Sequence, residues 1–361
     1  MKRKFSIEKK ILSFDISSNK KTQNKKIIFL PGSFSNPIGG PNRFINMFKE
    51  SKYIEQNGIS FQFKSYRNCT SALGVSVFPF HILFKLWFTD IKKVLRVDGI
   101  YVAEDRWKNL GRKKTLKEHF INFRVKHSIL SSQHVIFQSQ FSKKLACDHF
   151  KIMPLKSSVI RNGTNINHFK PSKRPVNKLP KIAVFGKHYS HQIDFAFEVF
   201  FKLLEKVPCE LVLIGAPRNN EFTFDSIINK WKDKVIKLGG NIELVGKVSY
   251  DEIPSVLSKQ DVLLHVKYGD SCPNSVIEAM SCGVPVVCPD WGGTKELVGE
   301  AGLIIPVHNS WKSLPEHVDG FSNALMEILT EGKKYKLLAR QRVEQNFNIE
   351  TISKTYAEIL T

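Results

Sequence analysis

Asp270 and Glu278, in an Asp-x7-Glu arrangement, stand in the stretch of this chain richest in chemistry, DVLLHVKYGDSCPNSVIEAMSCGVPVVCPDWGGTKELVGEAGLIIP over residues 261–306. An apolar run ends near Val266, a polar loop holds Asp270, and Pro273-Asn274-Ser275 opens a helix carrying Glu278. Proline and serine suit a first helical turn. The free N–H groups there, at the positive end of the helix dipole, form an anion site. Glu278 stands about one turn further in, within reach of a group attached to an anion held at that end. A diphosphate on the N–H groups with a ribose on Glu278 fits this arrangement. Gly283 ends the helix, and Trp291-Gly292-Gly293-Thr294 forms a second loop at the same end, where small residues let a ligand approach backbone. Taken alone, the Asp-x7-Glu spacing also describes two surface carboxylates flanking an ordinary βα turn; the residues around it decide.

These residues need a rigid scaffold, and the pattern around them supplies one. KIAVFG (181–186), CELVLIG (209–215), NIELVG (241–246), DVLLHV (261–266), VPVVCP (284–289) and AGLIIPV (301–307) are near-continuous apolar runs separated mostly by amphipathic segments of helical length. Strands without in–out alternation are buried on both faces, which predicts a parallel sheet flanked by helices. Shorter β-branched or aromatic runs precede them at 25–33, 59–63, 94–97, 134–139 and 157–163, with helical stretches at 115–128 and 142–150. FKPSKRPVNKLPK (169–181) carries three prolines and no apolar period and reads as a linker. The expectation is an α/β chain of two Rossmann-like, doubly wound parallel-sheet domains facing a cleft. Residues 1–24 form a basic tail, 25–168 the N-terminal domain, 169–180 the linker, 181–340 the C-terminal domain and 341–361 a terminal helix. Ligands bind outside the carboxyl ends of such strands, here toward the cleft.

The same segment resembles the donor-site signature of GT-B glycosyltransferases, most closely family 4 (glycosyl transferases group 1). Pro273, Asn274, Glu278-Ala279-Met280, Cys282-Gly283, Pro285, Gly292-Gly293, Glu296-Leu297 and Gly302-Leu303 fall in register with it. Weaker echoes are Gly39-Gly40-Pro41, FQSQFSKKL (137–145), VIRNG (159–163) and FNIETISKTYAEIL (347–360). The resemblance implies that Glu278 holds the donor ribose while the amides near Asn274, Ser275 and Val276 take the phosphates. It places Asp270 on the transferring sugar, the Gly186-Lys187 turn and the Gly292-Gly293 loop around the donor, and Gly39-Gly40 on the diphosphate or acceptor side. It also implies a terminal helix crossing back to the first domain. Arg43, Arg96 and Asp98 lie at strand and turn ends of the first domain, where acceptor contacts belong.

Two features depart from the family pattern. Asp270 is one methylene shorter than the usual glutamate. Where the family has Gly-Arg and then a lysine about five residues on, this chain has Gly186-Lys187-His188-Tyr189-Ser190-His191-Gln192. Lys187 supplies a point charge in place of a bidentate fork. Gln192 near the lysine position leaves the clamp one cation short, unless His188 or His191 protonates.

The resemblance implies a retaining transfer of a hexosyl group from a nucleotide-diphosphate sugar, an activity of EC class 2.4, to a glycan, lipid-linked or other cell-envelope acceptor. No cofactor and no metal are expected, so positive groups and helix N–H donors would stabilise the departing diphosphate. Two relatives of this reading are a GT-B nucleotide-sugar epimerase and a catalytically weak GT-B protein acting as a binding partner.

Charge adds a possible partner surface. Residues 1–180 hold 35 Lys+Arg against 10 Asp+Glu and residues 181–361 hold 20 against 23, so the whole net charge of +22 arises in the first half. Such asymmetry points to a polyanion, with an anionic membrane surface the expected one, or to a solubilising lysine-rich surface. Base-stacking aromatics are not interleaved with the basic runs, so nucleic acid is not an expected partner. Residues 71–88, SALGVSVFPFHILFKLWF, read either as a buried strand plus helix or as an amphipathic patch lying on a membrane. The six cysteines show no CxxC pair and the basic start is followed by no apolar stretch, so the expected place is the cytoplasm, peripheral on the inner face of a membrane. The 27 phenylalanines read as core.

Overall fold

The apolar runs become strands covered on both faces. In the computed structural model, which describes residues 26–32, 40–101, 115–172, 179–218, 222–307 and 315–361, they assemble into two six-stranded parallel sheets. Residues 1–24 and Gly39 lie outside the described residues.

The first sheet contains β1 (Ile27–Phe29), β2 (Ser60–Gln62), β3 (Ser71–Val75), β4 (Lys92–Val97), β5 (His134–Phe137) and β6 (Ser157–Val159), in the order β2-β1-β3-β4-β5-β6. Helices α1 (Gly40–Glu50), α2 (Lys52–Gln56), α3 (Phe80–Trp87), α4 (Leu116–Leu130) and α5 (Gln140–Phe150) connect them. Successive strand residues point to opposite faces. Ile28, Leu73, Val94 and Ile136 therefore fill one core, while Phe29, Ala72, Leu95 and Phe137 fill the other.

The second sheet contains β7 (Lys181–His188), β8 (Glu210–Pro217), β9 (Asn241–Gly246), β10 (Val262–Leu264), β11 (Val286–Pro289) and β12 (Gly302–Ile305), in the order β12-β11-β10-β7-β8-β9. Its helices are α6 (Ser190–Leu204), α7 (Phe224–Lys237), α8 (Ile253–Leu257), α9 (Asn274–Ser281), α10 (Thr294–Val298), α11 (Val318–Thr330) and α12 (Gly332–Asn346). Ile182 and Val184 enter one core and Ala183 and Phe185 the other. The winding reverses between β7 and β10, and in the first sheet between β1 and β3. Ligands of open α/β sheets bind at such reversals.

The last helix, α13 (Ile349–Leu360), leaves the second sheet and packs on the first, where Ile349, Ile352, Tyr356 and Leu360 join its core. The chain thus crosses between the sheets twice, and the crossings touch. Thr164 N–H donates to Phe347 O at 2.8 Å and Ile349 N–H donates to Thr164 O at 3.0 Å.

Residues 71–88 form a strand and a helix that differ in burial. β3 is buried, whereas α3 buries Leu83 and Leu86 and exposes Phe84 (70% accessible) and Trp87 (74%). Phe80, Phe84, Phe88, Phe120 and Phe123 are likewise exposed, so phenylalanine is not confined to the cores.

Candidate active site in the interdomain cleft

Helix α9 begins just beyond β10, at the reversal of the second sheet. Its N-cap is Pro273, which places no side-chain acceptor on the leading N–H groups. The Asn274 and Ser275 N–H groups remain for a ligand or water, whereas that of Val276 donates to Pro273 O at 3.2 Å. Glu278, one turn in, is buried with 3% of its surface accessible. Its carboxylate pairs with the Arg43 guanidinium from α1 across the cleft, and Arg43 lies 5.0 Å over the Tyr250 ring. Burial raises the Glu278 carboxyl above the usual range, and Arg43 pulls the other way. Burial, with the Glu278 charge second, pushes the Tyr250 hydroxyl up to about 12.

Asp270 is part-buried, and its Oδ1 accepts from Cys272 N–H at 3.3 Å. Its backbone oxygen accepts from Gly293 N–H at 2.7 Å, and Gly269 N–H donates to Trp291 O at 3.1 Å. The two loops are thus zipped together. A Cβ on Gly293 would stand 1.9 Å from Ser271 O, and Gly292 has φ +128° with the Asp270 backbone against it. These glycines are therefore required for loop-to-loop contact, where the sequence suggested ligand approach to bare backbone.

On the opposite wall, Gly40 starts α1, and a Cβ on it would lie 4.0 Å from Asn274 Nδ2. Arg96 is not an exposed acceptor contact, because it is completely buried. Its guanidinium pairs with Asp98, donates to Asn162 Oδ1 at 2.8 Å and lies 4.3 Å over the Phe44 ring. Ser76 and Gln138 also donate to the Asp98 carboxylate. A charge removed from water needs this degree of compensation. Arg96 and Asp98 consequently act as a buried brace for the cleft floor.

Asn162 extends that brace into the second domain. Its Nδ2 donates to Cys272 O at 3.0 Å and to Asn274 Oδ1 at 2.8 Å, which fixes the start of α9. Glu296 makes a second tie by accepting from the Gln140 and Phe141 N–H groups at the start of α5, at 3.0 and 2.8 Å, and from Arg161 at 3.0 Å. Both residues stand in quoted motifs, yet only contacts across the fold give them these roles.

The altered clamp spans the end of β7 and the start of α6, so Gly186 and Lys187 are strand residues paired with Gly215 and Ala216, where the sequence suggested a turn. Lys187 is exposed. Gln192 is committed elsewhere, since its Oε1 accepts from Tyr189 N–H at 3.0 Å and closes the first turn of α6. His188 is buried, and neither ring nitrogen makes a well-formed hydrogen bond. Burial and the nearby Lys267 charge hold it well below the usual histidine range, as they hold His265 down to about 3. Protonation of His188 therefore does not supply the missing cation. Lys267, just past β10, brings its Nζ to 3.1 Å from where a Cβ on Gly186 would lie. It was invisible as a site residue in the sequence, one basic residue among 55. Among the described residues, no three His, Cys, Asp or Glu side chains gather as a metal site.

Comparison with known proteins agrees with this architecture. Residues 180–330 match the family model for glycosyl transferases group 1. The phosphatidylinositol N-acetylglucosaminyltransferase gpi3 subunit of Schizosaccharomyces pombe is 22% identical over 215 residues, covering 59% of this chain and 44% of the relative. The chain spans well under two thirds of the length of the curated relatives it matches. Sucrose-phosphate synthase from Thermosynechococcus elongatus superposes with a TM-score of 0.69 at 14% identity, covering 92% of this chain and 98% of that one. Anabaena Alr3699/HepE in complex with UDP superposes at 0.67 and 17% identity, covering 93% and 99%. The chain therefore has the GT-B fold, and residues 180–330 of its second half are similar to glycosyl transferases group 1.

Proposed function

We infer that this protein is a glycosyltransferase that moves a sugar from a nucleoside-diphosphate sugar to a hydroxyl of a glycan or lipid-linked acceptor. The observation carrying this reading is the α9 start, with uncapped N–H groups and a buried Glu278 one turn behind them at the sheet reversal. That arrangement suits a diphosphate followed by a ribose. Relatives support the substrate class, since one matched structure holds UDP-glucose and one matched relative is named for N-acetylglucosamine transfer to phosphatidylinositol.

In the proposed reaction the bond from the anomeric carbon to the diphosphate oxygen breaks as the acceptor oxygen bonds to that carbon. The acceptor proton passes to the departing phosphate oxygen, and configuration is retained. Asp270 orients the sugar, and the α9 N–H groups with nearby cations take up the charge developing on the leaving group. No metal is assigned to this step.

A membrane surface is the proposed location of the acceptor. Phe80, Phe84, Trp87 and Phe88 follow i, i+4, i+7, i+8 spacing and form an exposed apolar face on α3. Phe80 joins it to Phe120 and Phe123 of α4, Arg124 lies 6.0 Å over the Phe120 ring, and the same two helices carry Lys85 and Lys117. An apolar anchor with basic neighbours is the combination that holds a protein reversibly on an anionic leaflet. No helix among the described residues is long and apolar enough to cross a membrane.

A second reading, a GT-B protein that binds nucleotide without turnover, draws on exposed Lys187 and committed Gln192. Calorimetry with UDP, GDP and ADP, followed by donor turnover with matching labelled nucleotide sugars, tests both. Binding abolished by Glu278→Ala together with turnover supports the transferase. Binding without turnover of any donor favours the second reading, and no binding by the folded chain rejects both.

A further inference from the structure

We propose that Lys267, just past the strand beside the usual clamp, is the principal side-chain cation for the donor diphosphate, with Arg218 as its partner. This rests on the nucleotide-sugar reading above and deepens it. The expected clamp lies at the end of β7 and the start of α6, yet its residues do not provide it. Lys187 is exposed, Gln192 is tied to Tyr189 N–H and His188 is held neutral.

Lys267 occupies the position those residues leave open. β7 and β10 are hydrogen-bonded neighbours at the reversal of the sheet, so a residue just past β10 emerges beside Gly186 near the end of β7. Its ammonium lies in front of the Gly186 backbone, and His188 Nε2 lies 3.8 Å from the same Cβ position. Gly186 has φ +128°, a conformation that suits glycine, and the absence of a side chain leaves room for the ammonium.

Charge supports the assignment. Among the described residues no carboxylate stands within ion-pair distance of Lys267, although it is part-buried. Burial pushes its ammonium below the usual lysine range, Asp270 only partly offsets this, and Arg218 adds repulsion. A part-buried cation with no ion-pair partner among the described residues, beside another cation, is a site that a dianionic diphosphate would stabilise. The Arg218 N–H donates to His188 O at 2.8 Å, and its guanidinium lies 5.1 Å over the Tyr189 ring, which anchors it at the same turn. His188, buried beside Lys267 and held neutral, adds no competing charge at this place. When the anomeric bond breaks and the electron pair stays on the phosphate oxygen, Lys267 would face the charge that appears.

The test uses the full chain with Lys267→Met, Lys267→Arg, Lys187→Met and Glu278→Ala. Each is titrated with UDP and GDP and with uridine and guanosine, after circular dichroism confirms folding. Methionine keeps the packed stem while removing the charge, and arginine restores charge should methionine fail to fold. Lys267→Met should weaken the bound diphosphate about tenfold or more, as loss of a charged hydrogen bond does, and leave the nucleoside unchanged. Lys267→Arg should recover most of the affinity, and Lys187→Met should cost less. The inference is overturned if Lys267→Met binds diphosphate like the parent, if diphosphate and nucleoside weaken equally, or if Lys187→Met costs more. Affinity lost in Glu278→Ala but retained in Lys267→Met rejects Lys267 and leaves the nucleotide reading standing. A folded parent that binds no nucleotide rejects both.

Discussion

Arg43 of the first domain and Glu278 of the second, 235 positions apart in sequence, form an ion pair across the cleft. The carboxylate assigned to the donor ribose is therefore held in place by the opposite wall.

Replacing Arg43 by methionine leaves Glu278 buried without its counter-charge, so its folded-state pKa, already raised, rises further. A raised carboxyl pKa gives a contribution to stability that is present below the unfolded value and lost as pH rises through the folded one. Arg43→Met should therefore destabilise more at pH 8 than at pH 5, by about 1–3 kcal/mol, below the roughly 3–5 of a fully buried pair because Arg43 is partly exposed. Urea melts at the two pH values measure this. An equal loss at both would show that the pair adds nothing beyond packing.

Asn162 is buried and joins Arg96 to the start of α9 through three side-chain hydrogen bonds. Asn162→Ala should cost about 2–3 kcal/mol, since it leaves buried polar partners unmet. The loosened helix start should also raise the KM for donor more than it lowers kcat. Thermal melts and steady-state kinetics read the two effects, and a stable variant with parental KM would contradict the brace.

Flotation with vesicles tests the α3 face in the full chain, because α13 completes the first core and a fragment would lack it. The parent should float with phosphatidylglycerol vesicles and release as salt rises, since exposed charges are screened beyond about 8 Å at physiological ionic strength. Phe84→Glu combined with Trp87→Glu should abolish flotation, because each ring gives up about 2 kcal/mol of burial. A double variant that still floats would place the contact elsewhere.

The two-sheet architecture was legible in the sequence because strands covered on both faces leave unbroken apolar runs such as Val184 to Phe185 and Val286 to Cys288. The Asp270–Glu278 segment was legible for a related reason. Its proline, glycines and carboxylates act within one turn and one helix, so local spacing carries the geometry. What stayed hidden depends on distant neighbours. β3 lay unresolved inside a long apolar run. Arg96 read as an acceptor contact because Phe44 and Asn162, which enclose it, stand 52 and 66 positions away. Lys267 had no local signature, since its meaning comes from the neighbouring strand β7.

The paired crossings at Thr164 and Phe347–Ile349 also have a mechanical meaning. Two straps joined side by side act as one pin, so the halves can swing about a line but can hardly slide or twist. A Cβ on Gly163 would stand 3.0 Å from Ile349 Cα, which leaves that pin no slack. Travel should therefore grow with distance from it, small at Asn162 and larger toward Arg218 and the exposed face of α3. Spin-label distances between Lys85 and Arg218 positions, and between His168 and Glu344 positions, would measure this with and without UDP. A nucleotide-induced change confined to the first pair is the signature of a pinned swing, and equal changes in both would mean the straps give way.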